Sequence, residues 1–236
     1  MSEASEISEG REGTPSFLRQ FARRRSTAER CELCSAELGP LHQHLLDAKK
    51  REVLCCCDGC AVLFCGQPVQ SHLAGSQPRA VVARLHSPGA RFLRIPRRIR
   101  SLAGFRMDEL QWESLMIPIN LAFFYRDSSV GRVVAMYPSP AGAIESLLSL
   151  EAWAEIASEH GELQAMEDDV ETFLVNRVGA EPEHYIAPID ECYRLVGLIR
   201  MRWRGLSGGG EVWTGINQFF ADLKSRSVEA REPARA

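Results

Sequence analysis

The sequence predicts a mixed chain of the α+β or α/β class, in which a small cysteine-organised N-terminal module precedes a larger domain ending in an αα-hairpin. Three observations carry this. Seven of the eight cysteines fall between Cys31 and Cys65. Apolar and aromatic runs of strand length occupy 121–125 and 132–137. Two amphipathic helical patterns separated by a glycine-rich turn lie near the C-terminus.

Residues 1–16 are rich in Ser, Glu and Gly and read as a disordered tail. A short lead-in with Arg19, Arg23, Arg24, Arg25 and Arg30 follows, and with the cysteine module it forms a unit over 17–65. Residues 66–90 show no period and read as a linker or irregular insertion. The larger domain is expected over 91–225, with a second tail over 226–236.

Within that domain, Arg91 to Ile99 contains Pro96 and is an edge strand at best. Asp108 opens a short helix, with Gln111 at capping-box spacing and Met107 and Trp112 placed to staple the entry, and Pro118 closes it. The runs at 121–125 and 132–137 read as a β-hairpin whose second strand ends at Pro138 and Pro140. Ser149 caps a helix carrying Leu150, Trp153, Ile156 and Ala157. Residues 170–178 fit helix or strand, and 185–187 a short strand. Asp190 can cap a helix with Cys192, Leu195, Val196, Ile199 and Trp203 on one face. Gly205 stops it, 207–210 turn the chain, and Val212, Ile216, Phe219, Phe220 and Leu223 define the partner helix.

Totals bound the function. Apolar residues make up 45%, enough for a real core, and a net charge of −3 gives no strong pull toward nucleic acid or anionic membrane. The acidic start lacks the features of a signal peptide, and the apolar stretch at 116–125 is too short to span a bilayer. A soluble cytoplasmic protein is expected. In that compartment clustered cysteines point to metal rather than disulfides.

The strongest motif is Cys31-Glu32-Leu33-Cys34, then 22 residues, then Cys57-Asp58-Gly59-Cys60. Each CxxC turn brings two thiolates together, and two turns supply four soft ligands suited to tetrahedral zinc. A hairpin of 41–46 and 52–56 fits between them, and Ala61 to Phe64 can begin a helix. Knuckle, hairpin and CxxC at a helix start form the layout of a treble-clef zinc finger. The helix N-terminus favours bound thiolate, and in so small a module the ion would supply stability on the order of 10 kcal/mol. Four cysteines in two CxxC pairs also describe a rubredoxin-like iron site, although the Asp-Gly in the second pair and the run after it favour zinc.

His42 and His44 share one face of a strand and are candidate additional or alternative ligands, as is Cys55; four cysteines make them unnecessary to the first site. Cys55, Cys56 and Cys65 otherwise read as small buried apolar residues, as does Cys192. Charge is segregated: residues 61–107 hold eight arginines and no acid, and 133–193 hold thirteen acids and one arginine. The first segment is either a nucleic-acid surface, with the zinc module making a regulator, or one half of a complementary pair of surfaces. The lack of Lys and of interleaved aromatics favours the second. Ser207 to Gly210 lacks the spacing and Lys of a P-loop. His160, His184, Asp190, Glu191 and Cys192 fit no catalytic signature, so an enzyme is not expected.

Cys31 to Cys34, Val53 to Cys60, Tyr137 to Gly142 and Pro188 to Gly197 together resemble an uncharacterised bacterial family, a domain of unknown function whose genes accompany those of uptake [NiFe]-hydrogenases and their maturation proteins. The resemblance spans 17–225; the triple cysteine and the 66–90 insertion are local departures. It implies a role in making, assembling or supporting a hydrogenase; together with the cysteine module and the charge segregation, the expectation is a non-catalytic accessory protein whose partner is a hydrogenase subunit or maturation factor. The resemblance supplies no mechanism and no site residues.

Overall fold

The computed structural model describes residues 29–65, 91–179 and 181–229. The expected N-terminal tail, most of the lead-in, the 66–90 segment and residues 230–236 lie outside these.

The N-terminal module begins with a tight turn at Cys31 to Cys34, flanked by a bridge between Arg30 and Glu37. Strands β1 (Gln43–Asp47) and β2 (Glu52–Cys56) form the expected hairpin. Helix α1 (Asp58–Cys65) starts inside the second CxxC. Strand β3 (Phe92–Arg94) pairs with β1, giving a three-stranded sheet of order β2-β1-β3. Residues 92–94 thus belong to the module's sheet, not to the larger domain that was expected to begin at 91.

The larger domain is a seven-stranded sheet of order β10-β4-β9-β8-β5-β6-β7. Its strands are β4 (Arg100–Ser101), β5 (Leu121–Asp127), β6 (Arg132–Ser139), β7 (Gly142–Ser146), β8 (Glu171–Asn176), β9 (Glu183–Pro188) and β10 (Val228–Glu229). Every neighbouring pair is antiparallel except β10 with β4. Helices α2 (Glu109–Ser114), α3 (Leu150–Glu159) and the short α4 (Gly161–Gln164) cover one face. Helices α5 (Ile189–Arg202) and α6 (Gly209–Arg226) cover the other.

Strand alternation builds two cores. Leu121, Phe123, Leu174, Tyr185 and Ala187 pack against the α5–α6 hairpin, including Cys192, Leu195, Ile199, Val212, Ile216 and Phe220. Ala122, Phe124, Phe173, Val175 and Ile186 face the opposite way, onto Trp112, Leu115, Trp153, Ile156 and Leu163. The caps at Asp108 and Ser149 form as expected, the first as a full capping box with Gln111. Between α5 and α6, Gly208 has φ +86°, and a Cβ there would lie 2.8 Å from Val212 Cγ1. The turn therefore requires glycine.

Three local expectations need correction. Pro138 does not end β6, because it pairs with Ala143 of β7, a mostly exposed edge strand. On its other side β6 pairs with β5 only as far as Met136, so Pro138 lies beyond that ladder. Asp190 does not cap α5. The N-cap is Pro188, and Asp190 sits in the first turn. Regular structure continues past 226, with Val228 and Glu229 pairing with β4.

The module is seated on the domain. Leu46, Leu93 and Ile95 share a buried cluster with Tyr125, Val134, Val170 and Ile189. At the hairpin turn, Arg51 donates from Nη1 to Asp169 Oδ1 at 2.7 Å and lies over the Tyr125 ring at 5.0 Å. Burial opposes the Arg51 charge, but Asp169 and Asp127 hold its pKa above the ordinary value.

His184 is buried on the α2–α4 side, stacked on Phe173 at 5.9 Å and beside Phe105 at 4.7 Å, with no hydrogen-bond partner for Nε2. Burial, aided by Arg177, pushes its pKa down to about 4. The folded chain keeps His184 neutral while the unfolded chain protonates it near its ordinary value. Stability from this group is therefore complete above about 6.5 and is lost as pH falls through about 4. Relative to His184→Leu, the native chain should lose up to about 3 kcal/mol across that window in chemical denaturation. Parallel pH profiles for the two proteins would refute this.

Candidate metal centre

The first site is built from two turns brought together by the β1–β2 hairpin. In the first turn, Cys31 N–H donates to Ala36 O at 2.8 Å and Ser35 N–H to Cys31 O at 2.7 Å, with Ser35 at φ 63°. In the second, Ala61 N–H donates to Cys57 O at 3.0 Å, so Cys57 stands at the mouth of α1. Cys60 N–H points at Cys57 Sγ at 3.4 Å. Gln43 of β1 donates to Asp58 Oδ1 at 2.9 Å and ties the hairpin to the helix start.

The Sγ atoms of Cys31, Cys34, Cys57 and Cys60 all lie within 4.8 Å of one another, and Cys34 and Cys57 are 3.7 Å apart. Cys31 and Cys60 are buried beside Leu45, Cys56 and Ala61, whereas Cys34 faces solvent. Burial opposes the Cys31 thiolate, but amides of Cys57, Cys34 and Leu33 outweigh it and lower the pKa to about 6. Burial pushes the Cys60 thiol up, reinforced by its three sulfur neighbours. At Cys34 the Ala36 amide favours the thiolate, yet Cys31 and Cys57 raise its pKa overall. Without a cation, Cys31 and Cys57 oppose the ionisation of both Cys34 and Cys60. A bound metal ion reverses this, because coordinated thiols are deprotonated outright. The donor set therefore fits a soft, tetrahedral ion.

His42, His44 and Cys55 do not join that group. They form a second one, with their ligand atoms also within 4.8 Å of one another. His44 and Cys55 are direct cross-strand partners, on the hairpin face opposite Leu45 and Cys56. His44 Nδ1 lies 2.5 Å from Asp190 Oδ2, and this hydrogen bond holds the imidazole pKa above its ordinary value despite burial. Cys56 is fully buried and Cys65 half-buried, as the apolar reading expected.

The remaining polar residues are dispersed. Glu191 pairs with Arg194 and Arg226, and Cys192 is buried with its sulfur 3.1 Å from Thr172 Oγ1. His160 and His184 both pack on Phe105. Arg98 and Arg100 pair with the fully buried Glu171, and Arg98 also with Glu167. These basic residues face acids of the same chain, which is the complementary arrangement. Asp190 is the partner that sequence reasoning misplaced. It lies 146 residues from His44, and no local pattern links the two.

No helix among the described residues is long and apolar enough to cross a membrane. No curated protein matches the chain, and no solved structure matches it. The model of a family of unknown function (DUF5947) matches residues 30–86 and 78–227. These segments run from the first cysteine turn to just past α6, and the chain therefore belongs to this family of unknown function.

Proposed function

We propose that Cys31, Cys34, Cys57 and Cys60 hold one structural zinc ion in a treble-clef-like module, and that the chain is a non-catalytic accessory protein acting through protein contacts. The observation that carries the metal reading is the convergence of four sulfurs from a knuckle and a helix start. Such a shell leaves no coordination position open for chemistry, which fits a structural role. Zinc is favoured over iron because the second pair leads into a helix, an arrangement suited to a zinc finger.

The accessory role draws support from the surface of the module. Leu63 is 75% exposed and Leu41 87%, with Val62 and Phe64 also on the surface. Successive exposed apolar residues on α1 are suited to a protein partner. Against a nucleic-acid role, Arg91, Arg98 and Arg100 of the basic segment are engaged with Asp47, Glu167 and Glu171. The resemblance to a family encoded beside uptake [NiFe]-hydrogenases supplies the partner class: a hydrogenase subunit or maturation factor, met in the cytoplasm.

Anaerobically purified protein, dialysed against EDTA, should retain one zinc per chain and show no visible absorbance. Cys57→Ser should lose that zinc and melt well below the native protein. A retained iron with thiolate charge-transfer bands would replace the structural reading with an electron carrier. The partner reading has its own test. Tagged full-length chain co-expressed with an uptake [NiFe]-hydrogenase and its maturation proteins should retain one of them on affinity capture. Recovery of none of them would contradict the hydrogenase role.

A further inference from the structure

We infer that His42, His44 and Cys55 form a second metal site, distinct from the four-cysteine site, that takes a divalent zinc-class cation at the seam between the module and α5. His42 Nδ1 lies 2.9 Å from the carbonyl oxygen of Gly39, and His44 Nδ1 lies 2.5 Å from Asp190 Oδ2. Both partners are acceptors, so each Nδ1 must donate. In the neutral rings both Nε2 atoms then carry lone pairs, and these two atoms are only 3.1 Å apart. Two lone pairs that close require a positive charge between them, either a shared proton or a metal ion.

The surroundings select the metal. Cys55 Sγ converges on the same point, with all three ligand atoms within 4.8 Å of one another. A proton shared by two imidazoles has no use for a third donor, whereas a cation does. Two zinc-bound nitrogens at bonds of about 2.0–2.1 Å stand roughly 3.3 Å apart in tetrahedral geometry, close to the spacing present. His44 is also oriented as a metal ligand commonly is, with its far nitrogen donating to a carboxylate. Two further carboxylates lie near: Glu29 is 3.5 Å from His42 Nδ1, and Glu32 accepts from Cys55 N–H at 2.6 Å.

Two imidazoles and one thiolate suit a cation of intermediate softness such as zinc(II). Three protein ligands leave a fourth position for water or an incoming ligand, unlike the closed four-cysteine shell. The site is half-exposed, with 32% of the His44 side chain accessible, so exchange with solvent is open. Asp190 belongs to the first turn of α5, and the ligands to the hairpin. Occupancy would therefore fasten the module to the domain. Asp190 is a positioning residue and not a ligand.

Cobalt(II) titration of the EDTA-dialysed full chain tests this, because on the structural-zinc reading above the four-cysteine site keeps its zinc in that protein. One further equivalent should bind, with visible d–d bands and a charge-transfer band of single-thiolate intensity. Cys55→Ser should abolish the charge-transfer band. His42→Gln and His44→Gln should each weaken binding at least tenfold. Asp190→Asn should weaken it by about 10–100-fold while keeping the band. Retained zinc and an unchanged far-UV spectrum identify the variants that fold, and the native spectrum decides even where a variant does not. Failure of the native chain to bind cobalt would overturn the site and leave a proton shared by the two histidines. Cobalt bound without a thiolate band, or bound equally by all four variants, would also overturn it. A dialysed chain that retains no zinc and takes up cobalt with four-thiolate intensity alone would refute the second site while sustaining the first. Single-thiolate intensity alone would do the reverse.

Discussion

Four sulfur atoms within 4.8 Å of one another are the constraint around which the N-terminal module is organised. The module's own apolar core is small. Its core is Leu45, Cys56 and Ala61 beside two of the cysteines themselves, too little apolar area to offset the entropy of ordering some forty residues. Burial opposes the Cys31 thiolate but the surrounding amides outweigh it, whereas burial and its three sulfur neighbours raise the pKa of Cys60. A cation held there would bond all four sulfurs and be the strongest contact in the module.

The larger domain has no such dependence. Its sheet is covered on both faces, and residues such as Phe123, Phe124, Phe173 and Ile186 are wholly buried. The two parts meet along a seam of three chemistries. Leu46, Leu93 and Ile95 supply apolar contact to the domain. Arg51 supplies a cation to Asp169 and to the face of Tyr125. His44 supplies a hydrogen bond to Asp190. β1 contributes Leu46 to this seam and Leu45 to the cysteine core on its other face, so one strand is shared by the two clusters.

What was legible in the sequence was local. The CxxC pairs, the capping box at Asp108 and Gln111, and the apolar faces of α5 and α6 are set by short-range spacing, and all appear as expected. What was not legible depends on distant partners. Strand β7 has little apolar pattern because it is an exposed edge, and only pairing with β6 defines it. Residues 92–94 join the module's sheet through β1, some 45 residues earlier. Asp190 reads as a helix cap until His44 is seen beside it. His42 and His44 were visible as neighbours on a strand, but their union with Cys55 in a group apart from the four cysteines follows from the hairpin register.

The central claim is that the four cysteines enclose one metal ion. X-ray absorption at the zinc edge of the EDTA-dialysed protein measures this shell directly. A shell of four sulfurs at about 2.3 Å is the expected result. A shell containing nitrogen or oxygen ligands, or sulfurs linked as disulfides with no metal retained, would contradict it.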